Sequence, residues 1–341
     1  MLNFPFARPE PGAVTRIADG LLWLRLTLPF TLDHINVYLV EDDDGWIVYD
    51  TGIGDEATQA VWEGVVRDHL GGKPLKRVIV SHYHPDHIGL AGWFNRRFGI
   101  PIAATLGEFL TAQVACLDTS ADTFANVQAF YRAAGLDLDG DQMTVEYTSG
   151  YRKRLTPLPL RYSRLIDGMH LTIDGDDWEV ITGGGHSIEL AMLYCRTRDL
   201  FLVADQVIAK ISPNISIFAG NPEEDALGLY LTSLAALRDR VPDSVLVMPA
   251  HNLPFYGLHE RTRSLEQHHD IRLNALLEFC REAPQSAVDC FPKMFSRPIT
   301  NYHDRRFAAG EVIAHVNYLY LRGQLTRETG TDGVERYRTV A

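Results

Sequence analysis

Val80-Ser81-His82-Tyr83-His84-Pro85-Asp86-His87 places three imidazoles and a carboxylate within six residues, directly after the buried-strand pattern Arg77-Val78-Ile79-Val80. Extended backbone sends His82 and His84 to one side by the period of two, and Pro85 favours a change of direction that presents Asp86 and His87 to a neighbouring point. Two metal ions a few ångströms apart suit that arrangement. Imidazole and carboxylate without thiolate favour zinc and also accept iron or manganese. One loop cannot complete such a site, so further ligands are expected at the ends of later strands. Gly183-Gly184-Gly185-His186-Ser187 follows the strand pattern Trp178 to Thr182, Asp205 follows Val203-Ala204, and His251 follows Met248-Pro249-Ala250. Each stands at the mouth of a strand, where α/β folds gather their chemistry.

Working outward, Leu21 to Leu28, Ile35 to Val40 and Trp46 to Tyr49 read as a β-meander with a hairpin turn at Asp42-Asp43-Asp44-Gly45. Asp55 to Leu70 has helical spacing and stops at Gly71-Gly72; Ile88 to Phe98 reads as helix and Ile100 to Ala103 as strand. Residues 105–165 interrupt this alternation. Two amphipathic stretches, Leu106 to Leu117 and Thr123 to Ala134, precede an irregular Arg-, Pro- and Tyr-rich segment, together an insertion placed to lid a site. Strand patterns return at His170 to Ile173, Trp178 to Thr182, Leu190 to Cys195 and Leu200 to Val203, then a helix at Glu224 to Arg238 and a strand at Val245 to Met248. From Leu258 the pattern is helical to Cys280 and again from Ala308 to Leu321, with two short strands about Gly330-Thr331-Asp332-Gly333. The chain therefore divides into a catalytic domain, 1–255, and a small helical, winged-helix-like domain, 256–341.

Composition narrows the function. The chain has 341 residues, 46% hydrophobic and 22% charged, enough apolar material for a sizeable core. The 32 Lys and Arg against 44 Asp and Glu give a net charge of −12, which disfavours a nucleic-acid partner. Four scattered cysteines form no C-x-x-C pair, and no basic start with an apolar run opens the sequence, so a reducing, cytoplasmic location is expected. No apolar stretch reaches the roughly 18 to 20 residues of a membrane span.

The ligand run, the Gly-His motif, the later Asp and the final His follow the order His-x-His-x-Asp-His, Gly-His, Asp, His. In this the chain resembles the metallo-β-lactamase superfamily. Asn36-Val-Tyr-Leu-Val and Val48-Tyr-Asp50-Thr-Gly52 are similar to that family too, over roughly residues 15 to 255. The resemblance implies an α/β fold, a four-layer αββα sandwich. It implies that His82, His84 and His186 hold one divalent ion, that Asp86, His87 and His251 hold a second, and that Asp205 bridges them. One departure is the run His186-Ser187-Ile188-Glu189, where many members carry Pro-Gly-His or Pro-Glu-His after the Gly-His motif, which argues against the glyoxalase II-like branch.

Two metals sharing a water hold hydroxide near neutral pH and polarise a carbonyl or phosphoryl oxygen, so metal-assisted hydrolysis is expected, with Asp86 orienting the attack and relaying a proton. Asp50 is placed to accept from a ligand imidazole and fix its tautomer. His34 stands near the site mouth, as a substrate contact or a loop histidine. Gly183-Gly184-Gly185 is explained by close approach to the metals as well as by a phosphate cradle. His268-His269 reads as a solvated helix face and His315 as a core position. Arg152 and Arg154, in a basic cluster with Lys153, Arg161 and Arg164, are either solvated loop charge or contacts for an anionic substrate such as a coenzyme A ester.

The leading expectation is a hydrolase of a small ester, thioester or lactone. A second is a single-strand endoribonuclease or phosphodiesterase, because the tail resembles the winged-helix tail of the β-lactamase-like protein 2 branch. Residues 256–341 carry 12 Lys and Arg and 11 Asp and Glu, a net of +1, which gives RNA little electrostatic footprint. The tail is expected to pack on the catalytic domain or on a partner subunit of a homo-oligomer. A third expectation is a non-enzymatic ligand sensor that keeps the fold.

Overall fold

Alternate side chains of the N-terminal strands serve two different layers. In β2 (Leu21–Thr27), Leu21 and Trp23 enter one core while Leu22, Leu24 and Leu26 enter another; β3 (His34–Asp42) repeats the division with Tyr38 and Val40 against Ile35, Val37 and Leu39. The computed structural model describes residues 1–117, 120–137 and 150–340. Around β2 and β3 it adds β1 (Val14–Ala18), β4 (Gly45–Tyr49), β5 (Leu75–Ile79), β6 (Ile102–Thr105) and β7 (Ser163–Leu165), in the spatial order β1 to β7. Pairing is antiparallel from β1 to β4 and parallel from β4 to β7.

A second sheet holds β8 (His170–Ile173), β9 (Asp176–Gly183), β10 (Leu190–Cys195), β11 (Leu200–Ala204) and β12 (Leu246–Pro249), antiparallel except for the parallel pair β11–β12. Trp23, Tyr38 and Tyr49 of the first sheet meet Trp178, Val180 and Met192 of the second in one buried cluster. The first sheet's other face is covered by α1 (Glu56–Asp68), α3 (Ala91–Phe98) and α4 (Leu106–Leu117). On the second sheet's side lie α6 (Ala226–Arg240), α7 (Leu258–Glu282) and α9 (Tyr302–Leu321). The result is a four-layer αββα sandwich.

Some sequence expectations are revised. Ile88 to Phe98 is not one helix: α2 (Pro85–Ile88) ends at Gly89, where a Cβ would lie 2.3 Å from the Pro85 carbonyl and 2.5 Å from Gly54 N, so two backbone segments press together there. β1 is a strand beyond the expected meander, and β7 turns the end of the insertion into the edge of the first sheet by pairing with β6. The rest of the insertion's described part is α4, α5 (Ala121–Ala133) and residues 150–162; its residues 118–119 and 138–149 lie outside the described residues. α5 packs through Val127 and Tyr131 against Ala309 of α9.

The tail comprises α7, α8 (Phe291–Met294), α9 and the antiparallel pair β13 (Leu325–Thr329) and β14 (Glu335–Thr339). Every residue from Ala308 to Asn317 is buried, because α9 is enclosed on all sides. His269 is not on a solvated face: it is fully buried, with Nδ1 3.0 Å from Nε2 of His315 on α9. Among the described residues no helix is long and apolar enough to cross a membrane, and the four cysteines are free thiols.

Candidate metal centre

The strand ends β4, β5, β9, β11 and β12 bring Asp50, the 81–87 loop, His186, Asp205 and His251 together. Asp50 has a left-handed backbone, φ 63°, that turns its carboxylate back under the loop. It accepts from Ser81 N and Ser81 Oγ, both at 2.7 Å, and from His87 Nδ1 at 2.7 Å. Ser81 Oγ, having given its proton to Asp50, accepts from His82 Nδ1 at 2.9 Å. His186 Nδ1 donates to the Asn214 carbonyl and His251 Nδ1 to the His34 carbonyl, each at 2.8 Å. Four imidazoles are thereby held as Nδ1–H tautomers with the Nε2 lone pair left over.

Those lone pairs converge. His186 Nε2 lies 3.3 Å from His82 Nε2 and 3.3 Å from Asp205 Oδ2, and His82 Nε2 lies 2.9 Å from His84 Nδ1. On the other side, His251 Nε2 is 3.3 Å from Asp205 Oδ1 and 3.5 Å from Asp86 Oδ2, and His87 Nε2 is 3.6 Å from Asp86 Oδ2 and 3.5 Å from Asp205 Oδ2. Most of these spacings match the edge of a tetrahedron whose ligands stand about 2.0–2.2 Å from its centre, about 3.3–3.6 Å. His87 Nε2 and Asp205 Oδ1 are buried without a hydrogen-bond partner, a state that costs free energy unless a cation fills the space. Two groups can each hold a metal ion: His82, His84, His186 and Asp205, and Asp86, His87 and His251.

Electrostatics fit the same occupant. Burial, reinforced by neighbouring histidines, holds His82 and His84 well below the usual imidazole range, so both are neutral. Burial acts against His87 and His251 as well, but Asp86, Asp50 and Asp205 outweigh it at His87, and Asp205 and Asp86 at His251, raising both. Despite its burial, Asp205 is driven well below the usual carboxylate range by His251 and His87. The cluster has stored negative charge that a cation can displace protons to meet.

Other residues from the sequence fall elsewhere. His34 is buried with both ring nitrogens engaged, Nδ1 2.6 Å from Asp33 Oδ1 and Nε2 accepting from Asn252 N at 3.0 Å. It supports the His251 loop. Arg152 is exposed on the 3-10 turn Arg152–Arg154, and Arg154 stacks over Phe30. The glycine run presses on protein: a Cβ at Gly185, φ 96°, would sit 2.4 Å from Tyr230 Cβ of α6. Glu108 was not anticipated. Buried in the first turn of α4, it accepts from Tyr83 N (2.9 Å), Ser187 Oγ (2.7 Å) and Glu189 N (2.6 Å), joining the two ligand loops. A lone acid in an apolar helix was its only signal.

A model of the metallo-beta-lactamase superfamily matches residues 30–251, about two thirds of the chain. The chain belongs to the metallo-β-lactamase superfamily. A metallo-beta-lactamase-like C-terminal domain matches residues 273–340. A beta-lactamase domain protein from Burkholderia ambifaria is 37% identical with a TM-score of 0.91, over 99% of this chain and 98% of that one. Metallo-beta-lactamase family protein TTHA1429 from Thermus thermophilus is 26% identical with a TM-score of 0.80, over 95% and 100%. The probable metallo-hydrolase YqjP of Bacillus subtilis is 22% identical over 90% of this chain and 94% of its own length. This superfamily member is a metallo-hydrolase.

Proposed function

We propose that the chain is a cytoplasmic hydrolase of a small ester, thioester or lactone, working with two divalent ions, most simply zinc. The observation that carries this is the pair of adjoining ligand groups with Asp205 between them, Oδ2 toward His186 and Oδ1 toward His251. His82, His84 and His186 would hold one ion, Asp86, His87 and His251 the other, and Asp205 both. When bound, the ions supply Lewis-acid polarisation of the scissile group and an acidified water. The protein supplies the rest.

Asp86 is the most accessible of the three site carboxylates, 17% exposed against 8% for Asp205 and 1% for Asp50. Its oxygen that does not face His87 and His251 orients the attacking water, takes its proton and passes it to the leaving group. Ser81 and Ser187 are committed to Asp50 and Glu108, so neither supplies a nucleophile. Exposed Ile188 follows His186 by two residues, an apolar side chain available to a small acyl group. The −12 charge disfavours RNA, and four free thiols suit a reducing compartment.

The test is a turnover panel of thioesters, lactones, phosphodiesters and short RNA with zinc-loaded protein, with His84→Ala as the blank. Carbonyl-ester hydrolysis lost in the blank is expected; RNA cleavage would move the assignment to the endonuclease, and zinc occupancy without any turnover to the sensor. Wild-type protein should hold close to two ions, and His84→Ala or Asp205→Ala should lose one or both. Unchanged metal content in both variants would overturn the site.

A further inference from the structure

His186 owes its orientation to a carbonyl, and that carbonyl belongs to a segment held by the tail. Asn214, whose oxygen takes the His186 Nδ1 proton at 2.8 Å, donates its side-chain Nδ2 to Glu311 Oε2 of α9 at 3.3 Å. Its side-chain oxygen takes a hydrogen bond from Ser216 Oγ. Three residues on from Asn214, Ile217 N donates to Gly310 O at 3.1 Å. α9 can approach this closely because position 310 is glycine: a Cβ there would lie 2.8 Å from Ile217 O and 3.0 Å from Ser216 Cβ.

Glu311 is buried, its acid strength lowered by desolvation and partly restored by Arg272 of α7, which pairs with Oε1. A buried carboxylate costs free energy unless it is paired, and this one is shared between a cation and Asn214. Packing alone does not ask for a carboxylate here, since every neighbour from Ala308 to Asn317 is buried. Glu311 therefore has a partner-specific use.

We propose that Glu311 is a positioning residue: through Asn214 it fixes the carbonyl that orients His186, and so makes the C-terminal unit part of the metal centre's support. The inference rests on the reading of His186 as a ligand. A partner that holds a ligand imidazole in place is typically worth about 10- to 100-fold in metal affinity. The effect is confined to the group containing His82, His84 and His186, since His87 and His251 are oriented by Asp50 and the His34 carbonyl and, among the described residues, no hydrogen bond joins α9 to either.

The experiment is zinc titration of metal-free protein against a chromophoric chelator in two backgrounds. His251→Ala leaves the first group for measurement and His84→Ala leaves the second. Adding Glu311→Leu or Asn214→Ala should weaken zinc about 10- to 100-fold in the His251→Ala background and less than about 3-fold in the other, whereas Glu311→Gln, which keeps an oxygen for the Asn214 amide, should restore most of the affinity. Asn214→Ala leaves no buried charge unpaired, so it decides the matter if Glu311→Leu fails to fold. Equal affinities with and without Asn214→Ala in the His251→Ala background overturn the proposal. Equal losses in both backgrounds also overturn it, as general destabilisation. Absence of zinc binding in the unsubstituted protein would instead overturn the metal site itself.

Discussion

Two carboxylates decide how the ligand loops are held, and they differ in how visible they are from sequence. Asp50 ends a strand and belongs to a recognisable Asp-Thr-Gly run, while Glu108 sits in a helix whose neighbours are apolar, and nothing local says that its side chain turns inward to Tyr83, Ser187 and Glu189. Glu108→Leu leaves the part-buried amides of Tyr83 and Glu189 and the buried Ser187 hydroxyl without their acceptor, at up to about 1–3 kcal/mol each. A fall of a few kcal/mol in unfolding free energy is expected from urea melts of the metal-free protein, with Glu108→Gln, which keeps one acceptor oxygen, falling less. Asp50→Asn substitutes an amide for a carboxylate that takes three hydrogen bonds, and zinc affinity should drop by about 10- to 100-fold, read by chelator competition. The ligands themselves were legible because their order along the chain is a pattern. The tautomer that Asp50 fixes at His87 was legible too, but those of His82, His186 and His251 were not, because Ser81, Asn214 and His34 act through contacts that only the fold creates.

At the scale of elements, period-two and helical patterning located most strands and helices, and failed where long-range pairing or packing decides. β7 is a strand because β6 is available beside it, and His269 reads as surface until α9 and Tyr230 of α6 cover it. The His269–His315 pair between α7 and α9 has a pH signature. Burial, then His315, pushes His269 down to about 2, and burial pushes His315 down to about 3; Arg272 and His268 add to both, while His315 donates Nδ1 to the Glu311 carbonyl. Both pKa values lie below the ordinary 6.5, so the unfolded chain binds more protons below that pH. Their contribution is intact above 6.5 and is lost as pH falls, on the order of 1.4 kcal/mol per histidine for each unit. Urea unfolding of metal-free protein at pH 7 and pH 5 should show this fall, and His269→Gln/His315→Gln should flatten it. Parallel profiles for the two proteins would sink the assignment.

For the molecule as a whole, the question is whether residues 256–341 form a separable unit, as the change of pattern at Leu258 suggests. The buried cluster between the sheets runs without a break into Leu265, Leu273 and Leu276 of α7 and Val312, Ile313 and Val316 of α9, in company with Tyr230 and Leu234 of α6. Sequence shows that a helix has an apolar face and cannot show which partner covers it. Here α7 and α9 cover the second sheet's side, α9 also receives α5 from the insertion, and Asn317 donates to the Pro222 carbonyl at 2.8 Å. Cutting the chain after Phe255 would expose that side of the cluster and leave the Asn214 segment without Gly310 and Glu311. The truncated protein should therefore be insoluble, or should melt without a cooperative transition, and should not retain zinc at the His82, His84 and His186 group. A 1–255 fragment that melts cooperatively with two ions bound would show that the catalytic layers stand without the tail.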